Sequence, residues 1–223
     1  MQWKPMEINP SMLSKAIEDL GVSGCCCEDI LGLEEASLAN VRGSPLSLIL
    51  LFPLTSEHAA FRQQQVKELT EKQPSGSGIY FMKQTIGNSC GTICLLHSVA
   101  NNQTKLKFKD GSPLKKFLSE TANQSPEDRA KHLEKCEDIR RIHDAVADEG
   151  QCRVAEGKNF HAVAFVNVNG TLVEFDGLEP SPIYHGKTSD DHLLLDAAKI
   201  CRQFTQRQPG EVHFSAVAIC KSP

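Results

Sequence analysis

The chain has 223 residues, of which 40% are hydrophobic and 23% are charged, and its formal net charge is −4. A chain of this length can bury roughly 70–75% of its unfolded surface in one core, so we expect a single domain over residues 1–223. The weakly acidic balance excludes the basic patch of a nucleic-acid or membrane-surface binder and favours a neutral or basic partner.

The start of the chain and its cysteines bear on where the protein works. Residues Met1 to Glu7 lack the apolar run of a signal peptide, and the longest apolar run, Leu46 to Leu54, is far shorter than a membrane helix. The nine cysteines are odd in number and contain no Cys-x-x-Cys pair, a pattern typical of free thiols. We therefore expect a cytoplasmic protein without membrane insertion, metal or cofactor.

Capping residues and apolar spacing predict the elements of the first hundred residues. Asn9-Pro10 combines a helix cap with a proline at the first helical position, and Gly21 ends that helix. A Pro/Gly/Ser stretch over residues 74–78 is short enough to be a surface loop within one domain. The predicted elements are a helix over 10–20, a buried strand over 48–52, a helix capped by Ser56, a strand over 79–83 and a helix over 90–100.

The hydrophobic pattern changes from helical to strand-like in the last third of the chain. Ser112-Pro113 and Ser125-Pro126 each join a cap to a proline and start two helices. Asn169-Gly170 lies between two strand-like runs and predicts a two-residue hairpin turn. The predicted elements are helices over 113–121, 126–148 and 190–206 and strands over 161–168, 171–176 and 212–219, the last of them inside a sheet because both of its faces are largely apolar.

Cys90 lies where a predicted strand turns through Gly87-Asn88-Ser89 into a helix. This position brings the sulfur close to free backbone N–H groups at the positive end of the helix dipole, an environment that favours the reactive thiolate. Cys90 is therefore a candidate nucleophile. The alternative is a small buried core residue, the commonest role of a free cysteine.

The predicted hairpin brings a histidine and a carboxylate to one face of the sheet. A two-residue turn at Asn169-Gly170 pairs Val163 with Asp176, which makes His161 a diagonal neighbour of Asp176 at roughly 7–8 Å along the backbone. An imidazole oriented by a carboxylate is what a thiol nucleophile needs as its base. The alternative is that His161 only begins an edge strand, since a one-residue change in the turn would place the pair on opposite faces.

Two further candidates lie near Cys90 in the sequence. Gln84 precedes it by six residues at the end of a predicted strand, so its amide can donate a hydrogen bond to an oxyanion beside the sulfur; a solvated polar residue is the alternative. Cys94 and His97 have metal-like spacing on the same helix, but the sequence indicates no further ligands. Core packing is the preferred interpretation for that pair.

Three segments resemble the ubiquitin carboxyl-terminal hydrolases, a family of cysteine deubiquitinases. QTIGNSCGT at residues 84–92 resembles the nucleophile motif of the family, KNFH at 158–161 its histidine segment and LVEFDG at 172–177 its aspartate strand. Order and spacing agree, and the resemblance covers essentially the whole chain. It implies an α+β, papain-like cysteine hydrolase fold with a central, mostly antiparallel sheet, flanking helices and a knotted chain path.

The resemblance also implies roles for particular residues. Cys90 resembles the nucleophile, His161 the general base and acid, Asp176 the orienting carboxylate and Gln84 the oxyanion donor. Two segments match those with which the family holds ubiquitin, and Phe214 is an expected apolar anchor there. Their residues are Pro5, Met6, Glu7, Ile8, Asn9 and Pro10, and Glu211, Val212, His213, Phe214, Ser215 and Ala216.

The function implied by the resemblance is that of a thiol hydrolase that releases adducts from the carboxyl-terminal glycine of ubiquitin through an acyl-enzyme. The stretch from Asp148 to Lys158 resembles the loop that crosses the active site in this family, and its short length favours small or unfolded adducts. Cys152 in that loop is either a reactive surface thiol or an exposed bystander, and the bystander is the preferred interpretation. One alternative is a module that binds and stabilises free ubiquitin with little turnover, and another is a redox-sensing thiol protein.

Two positions depart from the family pattern. Cys25-Cys26-Cys27 stands where relatives commonly have an apolar strand with a tryptophan, and losing a buried aromatic costs roughly 3–5 kcal/mol unless the space is refilled. The alternative is that this segment is exposed here. Cys220 has the position of a prenylation box, but Lys221 and Pro223 fit that box poorly, so we expect a strand cysteine without a lipid.

Overall fold

The computed structural model describes residues 1–69, 78–151 and 159–222, with the backbone only for residues 66–69. The strands in these ranges are β1 (Val22–Ser23), β2 (Cys25–Asp29), β3 (Ser44–Pro53), β4 (Lys107–Phe108), β5 (Phe160–Val168), β6 (Thr171–Phe175), β7 (Ile183–Lys187) and β8 (Ser215–Lys221). The helices are α1 (Pro10–Asp19), α2 (Glu35–Leu38), α3 (Ser56–Leu69), α4 (Cys90–Ala100), α5 (Pro113–Thr121), α6 (Pro126–Glu134), α7 (Glu137–Glu149) and α8 (Leu193–Gln206), and a 3-10 turn covers Gln103–Lys105.

Six of these strands form one sheet in the order β2-β8-β3-β5-β6-β7, while β1 pairs with β4. All neighbours in the large sheet run antiparallel. Strand β8 lies between β2 and β3, and its residues from Ala216 to Cys220 are buried. The prediction of an internal strand near the end of the sequence is therefore confirmed, although this strand begins at Ser215 rather than at residue 212.

Helices α1, α5 and α6 begin at the prolines that the sequence predicts. At α1 the side chain of Asn9 accepts a hydrogen bond from the N–H of Met12 at 2.9 Å, and at α6 Ser125 does the same for Asp128 at 3.1 Å. These caps satisfy N–H groups that have no partner within the helix, which determines where each helix starts.

Two predicted helix boundaries are wrong. The cap of α3 is Thr55, whose hydroxyl accepts from the N–H of His58 at 3.3 Å, and Ser56 is already the first helical residue. The helix predicted over 126–148 is divided at Cys136, whose ψ of 86° lies outside the helical region. No glycine or proline marks this break. The acidic residues that open α7 are its signal in the sequence, since carboxylates favour the first turn of a helix.

The strand predicted over residues 79–83 is also wrong, because this segment pairs with no described strand. Its backbone hydrogen bonds go to α4, to the residue that follows α4 and to α6. The N–H of Tyr80 donates to Asn101 Oδ1 at 2.9 Å, and the N–H of Met82 donates to His97 Nε2 at 3.1 Å. The segment is thus extended but lies along α4, outside the sheet.

The hairpin between β5 and β6 has the predicted register. Val168 pairs with Thr171 across the turn, and Ala164 pairs with Phe175. Asn169 and Gly170 have φ values of 52° and 82°, the left-handed conformation that a type I′ turn requires at both positions. The turn chemistry and the alternation of the flanking strands therefore agree, which determines the faces on which their side chains lie.

Helices cover both faces of the sheet and divide the core into two clusters. On one face α1 and α4 pack against Ala162, Ala164 and Phe175, and on the other α8 packs against Val163 and Phe165. Neighbouring residues of β5 thus belong to opposite clusters, because side chains alternate along a strand. The α+β architecture implied by the resemblance, an antiparallel sheet flanked by helices, is confirmed.

The unusual cysteine segment forms the edge strand β2. Cys25, Cys26 and Cys27 are each half-buried, so their segment is neither the exposed stretch of the alternative nor a fully buried one. Cys220 pairs with Cys26 and is fully buried, and this burial raises the pKa of the Cys220 thiol to about 12. A lipid on that sulfur would lie inside the core, which fits the expectation of an unlipidated strand cysteine.

Other expectations concern membranes and loops. None of the helices in the described ranges has the length and apolar content that a membrane crossing requires. Apart from Gly78, the predicted surface loop over 74–78 lies outside the described residues, and so do Cys152 and residues 153–158 of the predicted crossing loop.

Candidate active site

Cys90 is the first residue of α4 and is partly buried. The turn before it is well defined, since Asn88 has a φ of 63° and the Ser89 hydroxyl donates to the carbonyl of Ile86 at 2.8 Å. The N–H of Ile93 donates to the carbonyl of Ser89 at 2.9 Å and begins the helical hydrogen bonding. The sulfur therefore lies at the amino-terminal end of a helix, as predicted from the sequence.

His161 and Asp176 meet, as the hairpin geometry predicts. His161 Nε2 lies 2.7 Å from Asp176 Oδ1, and both side chains are buried. The same carboxylate oxygen accepts a hydrogen bond from the N–H of Leu178 at 3.0 Å. Because Nε2 faces the carboxylate, the other ring nitrogen, Nδ1, is left for a second partner.

Cys90 is the second group that acts on His161, because it interacts electrostatically with the imidazole. Burial alone would lower the pKa of His161, but the negative charge and hydrogen bond of Asp176, with a further contribution from Cys90, raise it to about 10. The pKa of Asp176 is lowered despite burial, because His161 and Arg62 stabilise its charged form. The arrangement is a nucleophile, a strong base and an orienting carboxylate in one line.

Gln84 lies beside this line. Its N–H donates to the carbonyl of Gly177, the residue after Asp176, at 2.8 Å. A Cβ on Gly177 would come within 2.8 Å of Gln84 Cβ, so only glycine permits this approach. The side-chain amide of Gln84 makes one long hydrogen bond, 3.4 Å to the carbonyl of Ile86, which leaves its second N–H for an oxyanion.

The sequence did not indicate a group of buried charges behind Asp176. Arg62 of α3 forms an ion pair with Glu174 of β6, and its Nη2 also lies 3.6 Å from Asp176 Oδ2. His185 Nε2 lies 2.7 Å from Glu174 Oε2. Although burial alone would raise the pKa of Glu174, Arg62 and His185 lower it to about 2. The sequence feature that could have revealed this group is the alternation of side chains along a strand, which places Glu174 on the same face as Asp176.

A cavity of about 520 Å³ opens on the far side of Asp176 from Cys90. Its polar lining includes Asp176, Arg62, Glu179 and the neutral imidazole of His58. Burial is the main reason why the pKa of His58 falls to about 4. Asp176 therefore borders a cavity large enough for water, whereas the His161 side chain does not line this cavity and is buried.

The amino-terminal segment predicted to hold ubiquitin crosses the start of α4. Met6 and Ile8 are buried in the core against Gly91, where a Cβ would lie 2.7 Å from Met6 Cε. In this conformation these two side chains face the protein interior. The other predicted residues of the segment, Pro5, Glu7, Asn9 and Pro10, are half-buried.

The carboxy-terminal segment is more open. Val212 is 79% exposed and leads into half-buried Phe214, while Ala216 is buried within β8. Leu31 is 92% exposed and lies next to this segment, because the N–H of Ile30 donates to the carbonyl of Ala216 at 2.9 Å. The sequence did not single out Leu31. The remaining residues of the segment are exposed His213 and half-buried Glu211 and Ser215.

Known proteins with a similar sequence or fold belong to one family. Residues 3–206 match the model of the family described as "Ubiquitin carboxyl-terminal hydrolase, family 1". Ubiquitin carboxyl-terminal hydrolase isozyme L1 from Sus scrofa and that from Homo sapiens are each 60% identical over 223 residues, covering 100% of both chains. The catalytic domain of Trichinella spiralis UCH37 bound to ubiquitin vinyl methyl ester has the same fold, with a TM-score of 0.77, 23% identity and coverage of 100% of this chain and 97% of that one.

Proposed function

The chain belongs to family 1 of the ubiquitin carboxyl-terminal hydrolases, and we propose that it is a thiol hydrolase that cleaves bonds at the carboxyl-terminal glycine of ubiquitin. The observation that carries this proposal is the pair of His161 Nε2 and Asp176 Oδ1, 2.7 Å apart, with Cys90 at the start of α4 acting on the same imidazole. A module that only binds ubiquitin would not require a nucleophile aligned with its base.

We assign the steps of the reaction to the residues that form this line. Cys90 gives its proton to Nδ1 of His161 and attacks the carbonyl carbon of the glycine. The side-chain amide of Gln84 and a backbone N–H at the start of α4 stabilise the resulting oxyanion. His161 then protonates the leaving amine, and a water molecule that His161 deprotonates hydrolyses the thioester. Asp176 holds the imidazole in the required tautomer throughout.

Ubiquitin would bind to the apolar surface around Val212. This surface consists of Val212 and Phe214 with Leu31 beside them, and the half-buried residues Pro5 and Glu7 extend the binding region toward α4. Exposed apolar side chains of this kind mark a binding site on a soluble protein. The net charge of −4 favours a basic partner segment such as the tail of ubiquitin.

The class of adduct follows from the length of the connection between α7 and β5. Helix α7 ends at Glu149 and β5 begins at Phe160, so residues 150–159, ten in all, connect them. Ten residues span at most roughly 35 Å when fully extended. That length is too short to arch over a folded domain, because a domain of 100 residues has a radius of gyration of about 13 Å and so a diameter of roughly 34 Å. We therefore propose small or unfolded adducts as substrates.

Two further proposals concern the chain as a whole. We propose that residues 1–223 form one domain, supported by the pairing of β2 near the start of the chain with β8 near its end. We also propose a cytoplasmic location, supported by the cysteines of the described ranges, which are all free.

The proposed function is tested by release of a fluorophore from the carboxyl terminus of ubiquitin in reducing buffer. The wild type should turn over, and Cys90→Ala should abolish turnover while it still binds ubiquitin. Cys136→Ala, at a partly buried cysteine just before α7, is the matched control and should retain activity. Binding by the wild type without turnover would show that the chain is a ubiquitin-binding module instead.

A further inference from the structure

Two buried carboxylates that lie side by side share one cation. Glu174 is fully buried and Asp176 is 2% exposed, and both point to the same face of β6 because they are two residues apart. Arg62 of α3, itself 5% exposed, lies between them. One guanidinium thus interacts with both carboxylates. One of these carboxylates, Asp176, is also the group that orients His161.

The two oxygens of Asp176 have different partners, which determines how the carboxylate is rotated. Oδ1 lies 2.7 Å from His161 Nε2 and 3.0 Å from the N–H of Leu178. Oδ2 lies 3.6 Å from Arg62 Nη2. A carboxylate held on both oxygens cannot turn away from the imidazole without losing the contact with Arg62.

We propose that Arg62 is a positioning residue for the hydrolytic reaction, which holds Asp176 Oδ2 so that Oδ1 stays on His161. Glu174 in turn holds Arg62, and His185 holds Glu174. This inference rests on the proposed function, since it concerns how the same nucleophile and base are kept aligned.

Arginine is suited to this position for two structural reasons. Its Nη2 lies next to Glu174 Oε1 and Asp176 Oδ2 at once, and the rigid guanidinium plane fixes the directions of its two N–H groups, whereas the ammonium of a lysine is a compact charge on a flexible stem. The guanidinium also lies 5.2 Å from the ring centre of Phe204, which restricts its plane. Without Arg62, the cavity that borders Asp176 and Glu179 would admit water to Oδ2.

The sign of the effect on His161 follows from the charges around it. His161 faces Cys90 on α4 and Asp176 after β6, and it contacts the ring of Phe52 on β3. Behind Asp176, Glu174 is surrounded by Arg62 of α3, His185 of β7, Arg207 after α8, and Glu179. Neutralising Glu174 removes a negative charge and leaves Arg62 to act on Asp176 alone, and both changes destabilise the protonated form of His161.

The first test compares Arg62→Lys and Glu174→Gln with wild type in steady-state hydrolysis of a ubiquitin fluorophore conjugate. We expect Arg62→Lys to lower kcat roughly tenfold and to leave KM within about twofold, because only the alignment of the reacting groups changes. For Glu174→Gln we expect the alkaline limb of kcat/KM, which reports His161, to move to lower pH. Asp190→Asn, at an exposed lysine pair away from the site, should change neither quantity.

The second test separates positioning from folding by chemical rescue. Arg62→Ala opens a space that joins the existing cavity, so millimolar guanidinium should restore part of kcat, while the same concentration of sodium should not. Arg62→Ala could fail to fold because it leaves the charge of Glu174 unpaired. In that case the rescue experiment uses the double variant Arg62→Ala/Glu174→Gln, which removes that charge.

The outcomes of these tests are distinct. An active wild type whose kcat and pH profile survive both Arg62→Lys and Glu174→Gln would overturn the inference, whatever the melting temperatures. Failure of guanidinium to raise kcat in either folded alanine variant would also overturn it. An inactive wild type would be a failure of the proposed hydrolase function itself.

Discussion

Asp176 shows how one residue links the chemistry to the surrounding fold. Its Oδ1 faces His161 and its Oδ2 faces Arg62, and the next residue, Gly177, receives the backbone N–H of Gln84 at 2.8 Å. The proposed base and the proposed oxyanion donor are therefore both positioned by two consecutive residues. A small substitution at Gly177 should therefore lower the reaction rate without changing the position of Cys90.

Gly177→Ala tests this link at the residue scale. The new Cβ would lie 2.8 Å from Gln84 Cβ and 3.1 Å from its backbone N, so Gln84 must shift. Loss of an oxyanion donor costs about 10²–10³ in kcat, so a partial displacement should lower kcat by roughly 10–100-fold at unchanged KM. Steady-state kinetics of the variant measure both constants.

The matched control is Gly32→Ala, where the added methyl meets only the flexible carboxylate of Glu34. It should behave as wild type. Wild-type kcat in Gly177→Ala would contradict the position that we give to Gln84.

At the scale of elements, the β5–β6 hairpin determines which side chains can meet. Its two-residue turn places Asn169 and Gly170 at positive φ, and the register that follows puts His161 and Asp176 on one face. This part of the site could be predicted from the sequence because turn type and strand alternation are local properties. The extended segment 79–83 could not, since its hydrogen-bond partners lie in or beside α4 and in α6 rather than in a neighbouring strand.

Gly170→Ala separates the stability of the turn from the register of the strands. A left-handed alanine costs about 1–2 kcal/mol, which should lower the melting temperature by about 2–8 °C in a chain of this size. The register is also specified by the buried residues on both faces of β5, so kcat at 25 °C should not change.

Gly170→Asn is the conservative control for this prediction, because asparagine tolerates the left-handed region and should lower the melting temperature less. A large loss of kcat without a change in melting temperature would mean that the turn, rather than the buried faces, sets the register.

At the scale of the whole molecule, the site joins opposite faces of one sheet. The body of α4 packs with Ala162 and Ala164 on one face, whereas His161 and Asp176 belong to the alternate positions that point to the other. Cys90 reaches His161 because it is the first residue of its helix. Local sequence patterns therefore predicted each half of the site but not their meeting, which depends on how α4 is placed against the sheet.

Arg62 illustrates the same limit on prediction. It lies in α3, 112 residues before Glu174, and a lone arginine on a helix is usually solvated. Only the packing of α3 against the sheet brings it between two carboxylates. The family resemblance supplied the link from Cys90 to His161 that local patterns lacked, but it did not indicate this support behind the carboxylate.

The central claim is that Cys90, aligned by His161 and Asp176, is the nucleophile toward the carboxyl terminus of ubiquitin. The most direct measurement is peptide mass mapping after reaction with ubiquitin vinyl methyl ester, which traps a thiol at that position. We predict one adduct per chain, on Cys90 alone among the nine cysteines, and a much slower reaction in His161→Asn. An adduct on another cysteine, or equal trapping in both proteins, would contradict the account.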